Sequence, residues 1–579
     1  MPSESITPYD PTSTTLNVKV VPFSDVNLAK ALSNKWVRPE EMQSKKQFRY
    51  LLNYLGANAD EDGGLDAKTM VIETPYVSQS YLSDYADYYA RGFAKYSRFC
   101  KRVHFFSRRF AEKALELAFT DRKDGAIWKS YLGYIVVKPL PATPIGSTLL
   151  KHYTHTSSKR RHYPAQRPYP VNVLGRQLTV NTLIFQEQDA NVSACATTAL
   201  WIAFHKTAYL FQTPLPSPYQ ITASTGNLFT NTGRSFPTTA LDLHQVGKAI
   251  EAVGLVAELR NYPSENDLRT QAVLYAQDEI SAQAAQQNSI EVCTDGENEQ
   301  DSTVPQPSER ERTEEFFRIL VDKQLSEVKG FIYAYLRLGL PVLLFLDFCD
   351  GTRHLVTVTG YREAAPVTYL SVIGITLLSS SIERIYVHDD QIGPYAQLGF
   401  TLDGLLETGW PDSSRPGRGR TAVLEYISVP LIRDIRIQYE QVYAQTALID
   451  QVLYDILNAN EDFVWDIYLS YSNTYKDELL QNSPTTPAHL RRILGRLLPK
   501  YIWVARATLG ANKTTIVDLV FDATDLHTGF YCVLTNIYEP ARTPLNHWLS
   551  QPANQKELLG SPSFESRYLD LLLNDLTPL

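Results

Sequence analysis

The chain is predicted to be an α+β protein, and three observations point there. An apolar, helix-forming run follows Cys195 (Ala196 to His205). Downstream come three short strand-like runs, Gly339 to Leu346, His354 to Tyr361 and Ile382 to His388. A second set, Tyr501 to Leu509, Thr514 to Phe521 and Phe530 to Ile537, follows helical patterns at Arg433 to Asn458 and Leu490 to Leu498. Apolar residues recur at helical spacing in the first kind of segment and alternate in the second. No internal repeat is visible.

Taken in order, residues 1–20 are rich in Ser, Thr and Pro and read as a loose arm. Residues 21–170 read as an N-terminal mixed α/β module, with helices expected at Tyr81 to Tyr96 and Phe105 to Phe119 and a strand at Tyr131 to Pro141. The aromatic spacing of the first helix is read as core. The stretch Lys151 to His162 carries three histidines and several basic residues. A metal pair at His152 and His155 lacks Cys or acidic company, so a solvated basic loop is expected. Residues 171–184 suggest a hairpin around Gly175, and 213–240 a loop able to shape a groove. Helices are expected at Asp242 to Val253, Glu265 to Gln286 and Glu314 to Leu338. Residues 287–312 are acidic and polar, and read as an exposed or disordered insert. Ala364 to Ile382 is read as a hairpin around Gly374 rather than a membrane span, and Asp412 to Arg420 as a basic loop. The remainder, 431–579, is expected to form a C-terminal α+β module.

With 44% hydrophobic and 20% charged residues, the 579-residue chain can bury a sizeable core. A net charge of −8 gives no sign of nucleic-acid binding. The cysteines Cys100, Cys195, Cys293, Cys349 and Cys532 are scattered and form no Cys-x-x-Cys pair. Neither a disulfide scaffold nor a zinc ribbon is expected, and a reducing cytoplasm fits best. Met1-Pro-Ser-Glu-Ser lacks a basic start and an apolar core, so no secretory signal is expected. No cofactor, metal or membrane segment is expected.

The chemistry is expected at Cys195. A thiol in the first turn of a helix sits among unpaired N–H groups at the positive end of the helix dipole, which favours the nucleophilic thiolate. Gln188, seven positions upstream, has an amide able to donate to an oxyanion beside the Cys195 amide. His354 opens an alternating strand just after the loop Gly351-Thr-Arg. Asp389 and Asp390 follow the next strand, where an imidazole orienter belongs. Each of these residues has an ordinary structural reading as well: a buried cysteine, a strand-edge histidine, two turn acids before Gly393-Pro394.

In this order the residues resemble the papain-like cysteine peptidases, most closely the bacterial double-glycine leader peptidase branch. The matching pieces are Gln188, Cys195, Gly339 to Val342, His354 to Tyr361, and Asp389 to Gly393, over about residues 175–430. Three positions depart: Ala196 stands where that family usually has Gly, the Gln-to-Cys gap is one residue longer with Gln186 in reserve, and Asp390 replaces a Pro. The resemblance implies a papain-like core at 171–430, a Cys-bearing helix packed on an antiparallel sheet. It implies Cys195 as nucleophile, His354 as base, Asp389 as orienter and Gln188 as oxyanion donor, acting on a protein or peptide substrate. The flanking modules are expected to engage a protein partner or a distant part of the substrate. Two other outcomes use the same scaffold: a catalytically silent binding module, and a toxin-like effector with amidase, deamidase or transpeptidase chemistry.

Overall fold

The computed structural model describes residues 16–57, 64–120, 125–156, 158–189, 194–225, 241–291, 307–348, 350–364, 374–412, 417–457, 463–482, 486–510, 513–526, 531–560 and 566–576. The architecture is mixed α+β, with sheets of five, eight and five strands and a two-stranded hairpin. Among the described residues, no helix is long and apolar enough to cross a membrane.

The N-terminal sheet is an antiparallel meander of Asn17–Pro22, Thr69–Tyr76, Cys100–Phe106, Tyr131–Val137 and Ile145–Leu150, in that spatial order. Both helices expected here are shorter than the sequence suggested. The first runs Gln79–Asp87 and is broken at Tyr88, whose ψ of −62° comes with a φ of −129°. The second begins at Glu112, because Cys100–Phe106 is a nearly fully buried strand between two others. Sheet pairing outweighs the helical spacing of its aromatics.

The central sheet carries the candidate chemistry. Val342–Phe348, Arg353–Glu363, Ile382–Asp389, Gly393–Phe400, Leu406–Pro411 and Gly419–Leu431 pair antiparallel in succession. Gly419–Leu431 also pairs with Val342–Phe348, so these six strands close on themselves. Val256–Asn261 adds to the outside of Gly419–Leu431. The long strand Arg353–Glu363 alternates into both faces and is buried over nine successive residues, His354 to Arg362. Against it lies the helix Cys195–Phe211, apolar nearly all round and buried accordingly. Thr357 donates from the strand to the Ala199 carbonyl of that helix at 2.9 Å, fixing their register.

Three expectations on this sheet need correction. The basic stretch is a largely exposed loop only as far as Lys159: Arg160–His162 is an edge strand paired with Tyr361 to Glu363, and buried Arg161 donates to the Tyr386 hydroxyl at 3.0 Å and to the Thr154 carbonyl at 2.7 Å. The charge is tolerated inside because its N–H groups are matched by oxygens. Gly360 makes the edge pairing possible, since a Cβ there would stand 2.3 Å from the His162 carbonyl oxygen. The hairpin expected around Gly374 is also different: Thr376–Leu377 pairs parallel with the C-terminal strand Val464–Tyr471, while 365–373 lies outside the described residues. Lastly, helices run through Glu291 and restart at Glu309, which leaves 292–306 outside the described residues. The two helices pair as an antiparallel arm with its own small core of Leu268, Ala272, Phe317, Val321 and Leu325. Arg312, expected in the insert, is buried against Glu279 at 3.7 Å.

The expected hairpin around Gly175 is present as Arg167–Val173 and Arg176–Thr182, with Leu174 and Gly175 both at positive φ. The C-terminal sheet continues from Val464–Tyr471 through Tyr501–Leu509, Thr514–Asp522 and Cys532–Ile537. Buried Asp518 ties it together, accepting from Arg506 at 2.8 Å, Tyr475 at 3.0 Å and Tyr538 at 2.8 Å.

Candidate active site

Cys195 is the first residue of its helix, and the preceding Ala194 offers no side-chain cap. Among the described residues, the N-cap position gives the first-turn amides no side-chain acceptor. The cysteine is half-buried and unpaired, whereas Cys100 and Cys532 are deeply buried; burial pushes both of their thiols up to about 12. Cys293 and Cys349 lie outside the described residues. Cys195 and His354 line one cleft of about 110 Å³, together with Leu241, Leu243, Phe345 and Tyr426.

The imidazole of His354 is held from behind. Its Nε2 lies 3.0 Å from Asp389 Oδ1 and 3.5 Å from Asp390 Oδ1. Nδ1 is buried and has no hydrogen-bond partner among the described residues. With Nε2–H donating to Asp389, Nδ1 is left as the basic nitrogen. Burial alone would push the His354 pKa down. The charge and hydrogen bond of Asp389, the nearby Cys195 thiol and Asp390 together raise it well above the usual histidine range. The thiol is thus near enough to favour the imidazolium while outside ideal hydrogen-bond geometry.

Asp389 ends its strand and opens a turn in which the Ile392 N–H donates to its carbonyl at 3.0 Å. Its carboxylate is fully engaged: Oδ1 also accepts from the Gln391 N–H at 2.9 Å, and Oδ2 from Trp410 Nε1 at 2.9 Å. Burial raises its pKa, but the charge of His354 and these hydrogen bonds outweigh burial and leave it below the usual carboxylate value. Trp410 covers the imidazole as well, with ring centroids 5.0 Å apart. Asp390 differs sharply. It is buried, neither oxygen has a hydrogen-bond partner among the described residues, and burial pushes its pKa up to about 7 against the pull of His354. Adjacent residues thus hold opposite protonation preferences because one is solvated by donors and the other is not.

Gln188 is half-buried and is not among the described residues that line the cleft, and Gln186 is buried. Residues 190–193, which join this strip to the helix, lie outside the described residues. His354, Asp389 and Asp390 also offer donor atoms within 4.8 Å of one another, close enough to share a cation. A cation there would displace the Nε2 hydrogen bond that orients the imidazole. His152 and His155 take ordinary partners instead, the Tyr153 and Arg161 carbonyls.

His388, one residue before the acid, is a structural histidine. Its Nε2 donates to the Leu183 carbonyl at 3.1 Å and its Nδ1 accepts from the Tyr395 N–H at 3.1 Å. Burial pushes its pKa down to about 3, so it stays neutral. Sequence reasoning missed one residue that touches both His354 and Asp389, Trp410. Trp410 reaches Asp389 from two strands along the sheet, and no local pattern signals it.

No family model, curated protein or solved structure matches this chain.

Proposed function

We propose that the chain is a papain-like cysteine peptidase acting on a protein or peptide through a Cys195 thioester. One observation carries the reading: a half-buried thiol at a helix start shares a cleft with an imidazole whose Nε2 is bound to a fully hydrogen-bonded carboxylate. His354 Nδ1 takes the thiol proton, and the sulfur attacks the substrate carbonyl carbon. The Cys195 amide stabilises the oxyanion; losing one such donor typically costs roughly 2.7–4 kcal/mol in the barrier. The C–N bond breaks as His354 returns its proton to the leaving amine, leaving a thioester. Water then attacks that thioester while His354 accepts its proton, and Cys195 departs as the thiol. Asp389 holds the productive tautomer and offsets the imidazolium charge.

The unpaired Cys100, Cys195 and Cys532 support a reducing, cytoplasmic setting. The test is modification by a thiol-directed electrophile in wild type, Cys195→Ala and His354→Ala, followed by mapping of the labelled cysteine. The reading expects rapid labelling at Cys195 that requires His354. Labelling of Cys195 at equal rates in wild type and His354→Ala, both following an ordinary thiol titration near about pH 8.5, would leave a silent scaffold.

A further inference from the structure

Asp390 follows the orienting acid, and the chemistry proposed for Cys195 gives it no task. Its carboxylate is buried, and neither oxygen accepts a hydrogen bond from any described residue. Burying a carboxylate without donors is costly, because nothing replaces the water it has lost. Its Oδ1 is nevertheless aimed at a potential metal ligand, lying 3.5 Å from His354 Nε2, which lies 3.0 Å from Asp389 Oδ1. Donor atoms of all three residues fall within 4.8 Å of one another. Zinc bonds to imidazole nitrogen and carboxylate oxygen run about 2.0–2.2 Å, which sets neighbouring ligands of a tetrahedron roughly 3.3–3.6 Å apart. The edges of 3.0 and 3.5 Å need shifts of only a few tenths of an ångström to meet that spacing. One imidazole with two carboxylates suits zinc better than magnesium or calcium, which favour oxygen ligands. Asp389 is already oriented for the role, by Gln391 N–H on Oδ1 and Trp410 Nε1 on Oδ2, the kind of outer hydrogen bonds that fix a ligating carboxylate.

We infer that His354 Nε2, Asp389 and Asp390 form an inhibitory zinc site behind the imidazole, with water in the fourth position. The inference rests on the peptidase reading and adds a means of regulation to the same site. Zinc takes the lone pair of Nε2, so the ring proton stands on Nδ1; both carboxylates bind as anions, and any proton they held passes to solvent. Nδ1, the nitrogen assigned to accept the Cys195 proton, is then already protonated. The metal also replaces the Nε2–H bond to Asp389 that orients the ring. The thiol is left without its base.

The experiment titrates Zn²⁺ into the full chain by calorimetry and follows Cys195 labelling by iodoacetamide at neutral pH with and without the metal. Wild type and Cys195→Ala should bind Zn²⁺ alike, and Asp390→Asn at least about tenfold more weakly, since losing a ligand costs no less than losing an outer-shell partner. Zn²⁺ should slow wild-type labelling by about tenfold or more and leave the rate of Asp390→Asn unchanged at the same concentration. If Asp390→Asn does not fold, wild type loaded with Co²⁺ decides: it should show the visible bands of a tetrahedral site without the near-ultraviolet band of a cobalt-bound thiolate. Equal Zn²⁺ affinity in folded Asp390→Asn, binding lost in Cys195→Ala, a cobalt–thiolate band, or wild-type labelling unmoved by bound Zn²⁺ overturns the inference. Metal-free wild type in which Cys195 reacts as an ordinary thiol, equally in His354→Ala, overturns the peptidase reading, while Asp390-dependent Zn²⁺ binding in that chain would still uphold the metal site.

Discussion

Asp389 and Asp390 are neighbours in sequence and both buried, yet they serve opposite electrostatic ends. Asp389 gathers three donors, Gln391 N–H, Trp410 Nε1 and His354, so its negative charge is solvated by the protein. Replacing Trp410 by Phe keeps the ring over His354 and deletes one charge-assisted hydrogen bond, worth about 1.5–3 kcal/mol. Trp410→Phe should therefore slow Cys195 alkylation about tenfold or more; an unchanged rate would show that this bond does not hold the acid in place. For Asp390 the sign is reversed. A carboxyl that titrates near 3.9 unfolded and at about 7 folded keeps a proton in the native state that the unfolded chain has released. Its contribution is a stability loss that grows as pH rises through that window. Asp390→Asn should raise thermal stability at about pH 8 by on the order of 1–3 kcal/mol and give no gain at about pH 4. Equal gains at both pH values, followed by thermal melts, would contradict the assignment.

At the scale of elements, the site depends on how closely backbones approach one another. Gly360 lets Arg160–His162 lie against the His354 strand, and a methyl group there would meet backbone at 2.3 Å as well as the Tyr163 ring at 2.8 Å. Backbone cannot swing aside as a flexible side chain can, so Gly360→Ala should destabilise the chain by about 1–3 kcal/mol. Chemical denaturation checks this, and a neutral effect would mean that the edge strand is loosely held. Gly339, at a φ of +88°, makes the other sharp junction, between the helix Glu309–Arg337 and the strand Val342–Phe348. There the Gly339 N–H bonds the Leu336 carbonyl and Leu340 N–H the Tyr335 carbonyl, which closes the helix and redirects the chain.

Across the whole molecule, one continuous apolar cluster runs from Leu28 and Phe105 through Trp201 and Val356 to Trp503 and Leu572. Polar ties cross the same boundaries: Tyr50 donates to the Pro394 carbonyl at 2.6 Å, and Trp503 to the Ile437 carbonyl at 2.8 Å. Segments that share a core should unfold together. A single cooperative thermal transition is expected by calorimetry for the full chain, and two well-separated transitions would show that the sheets are energetically independent.

Strand and helix type in and around the site were legible wherever one local period dominated. The apolar run after Cys195 is the helix Cys195–Phe211, and the alternation from His354 is the strand Arg353–Glu363. The acid at the end of the next strand was legible for the same reason, because a turn must follow Val387 before Gly393. What a single segment could not tell was how much charge burial its surroundings would permit. Arg161 read as part of a solvated loop and is an interior residue, since its partner Tyr386 comes from elsewhere in the chain. Trp410 was invisible as a site residue because sheet pairing across an intervening strand, not a local pattern, delivers it to Asp389. The sequence by itself determined the helix that Cys195 begins, the strand that His354 opens and the pair of acids, Asp389 and Asp390, beyond the next strand, because these follow from local periodicity and turn chemistry. Only the tertiary structure decided which acid faces Nε2 and which acid goes unsolvated. Those outcomes depend on long-range backbone pairing and burial, which no local pattern encodes.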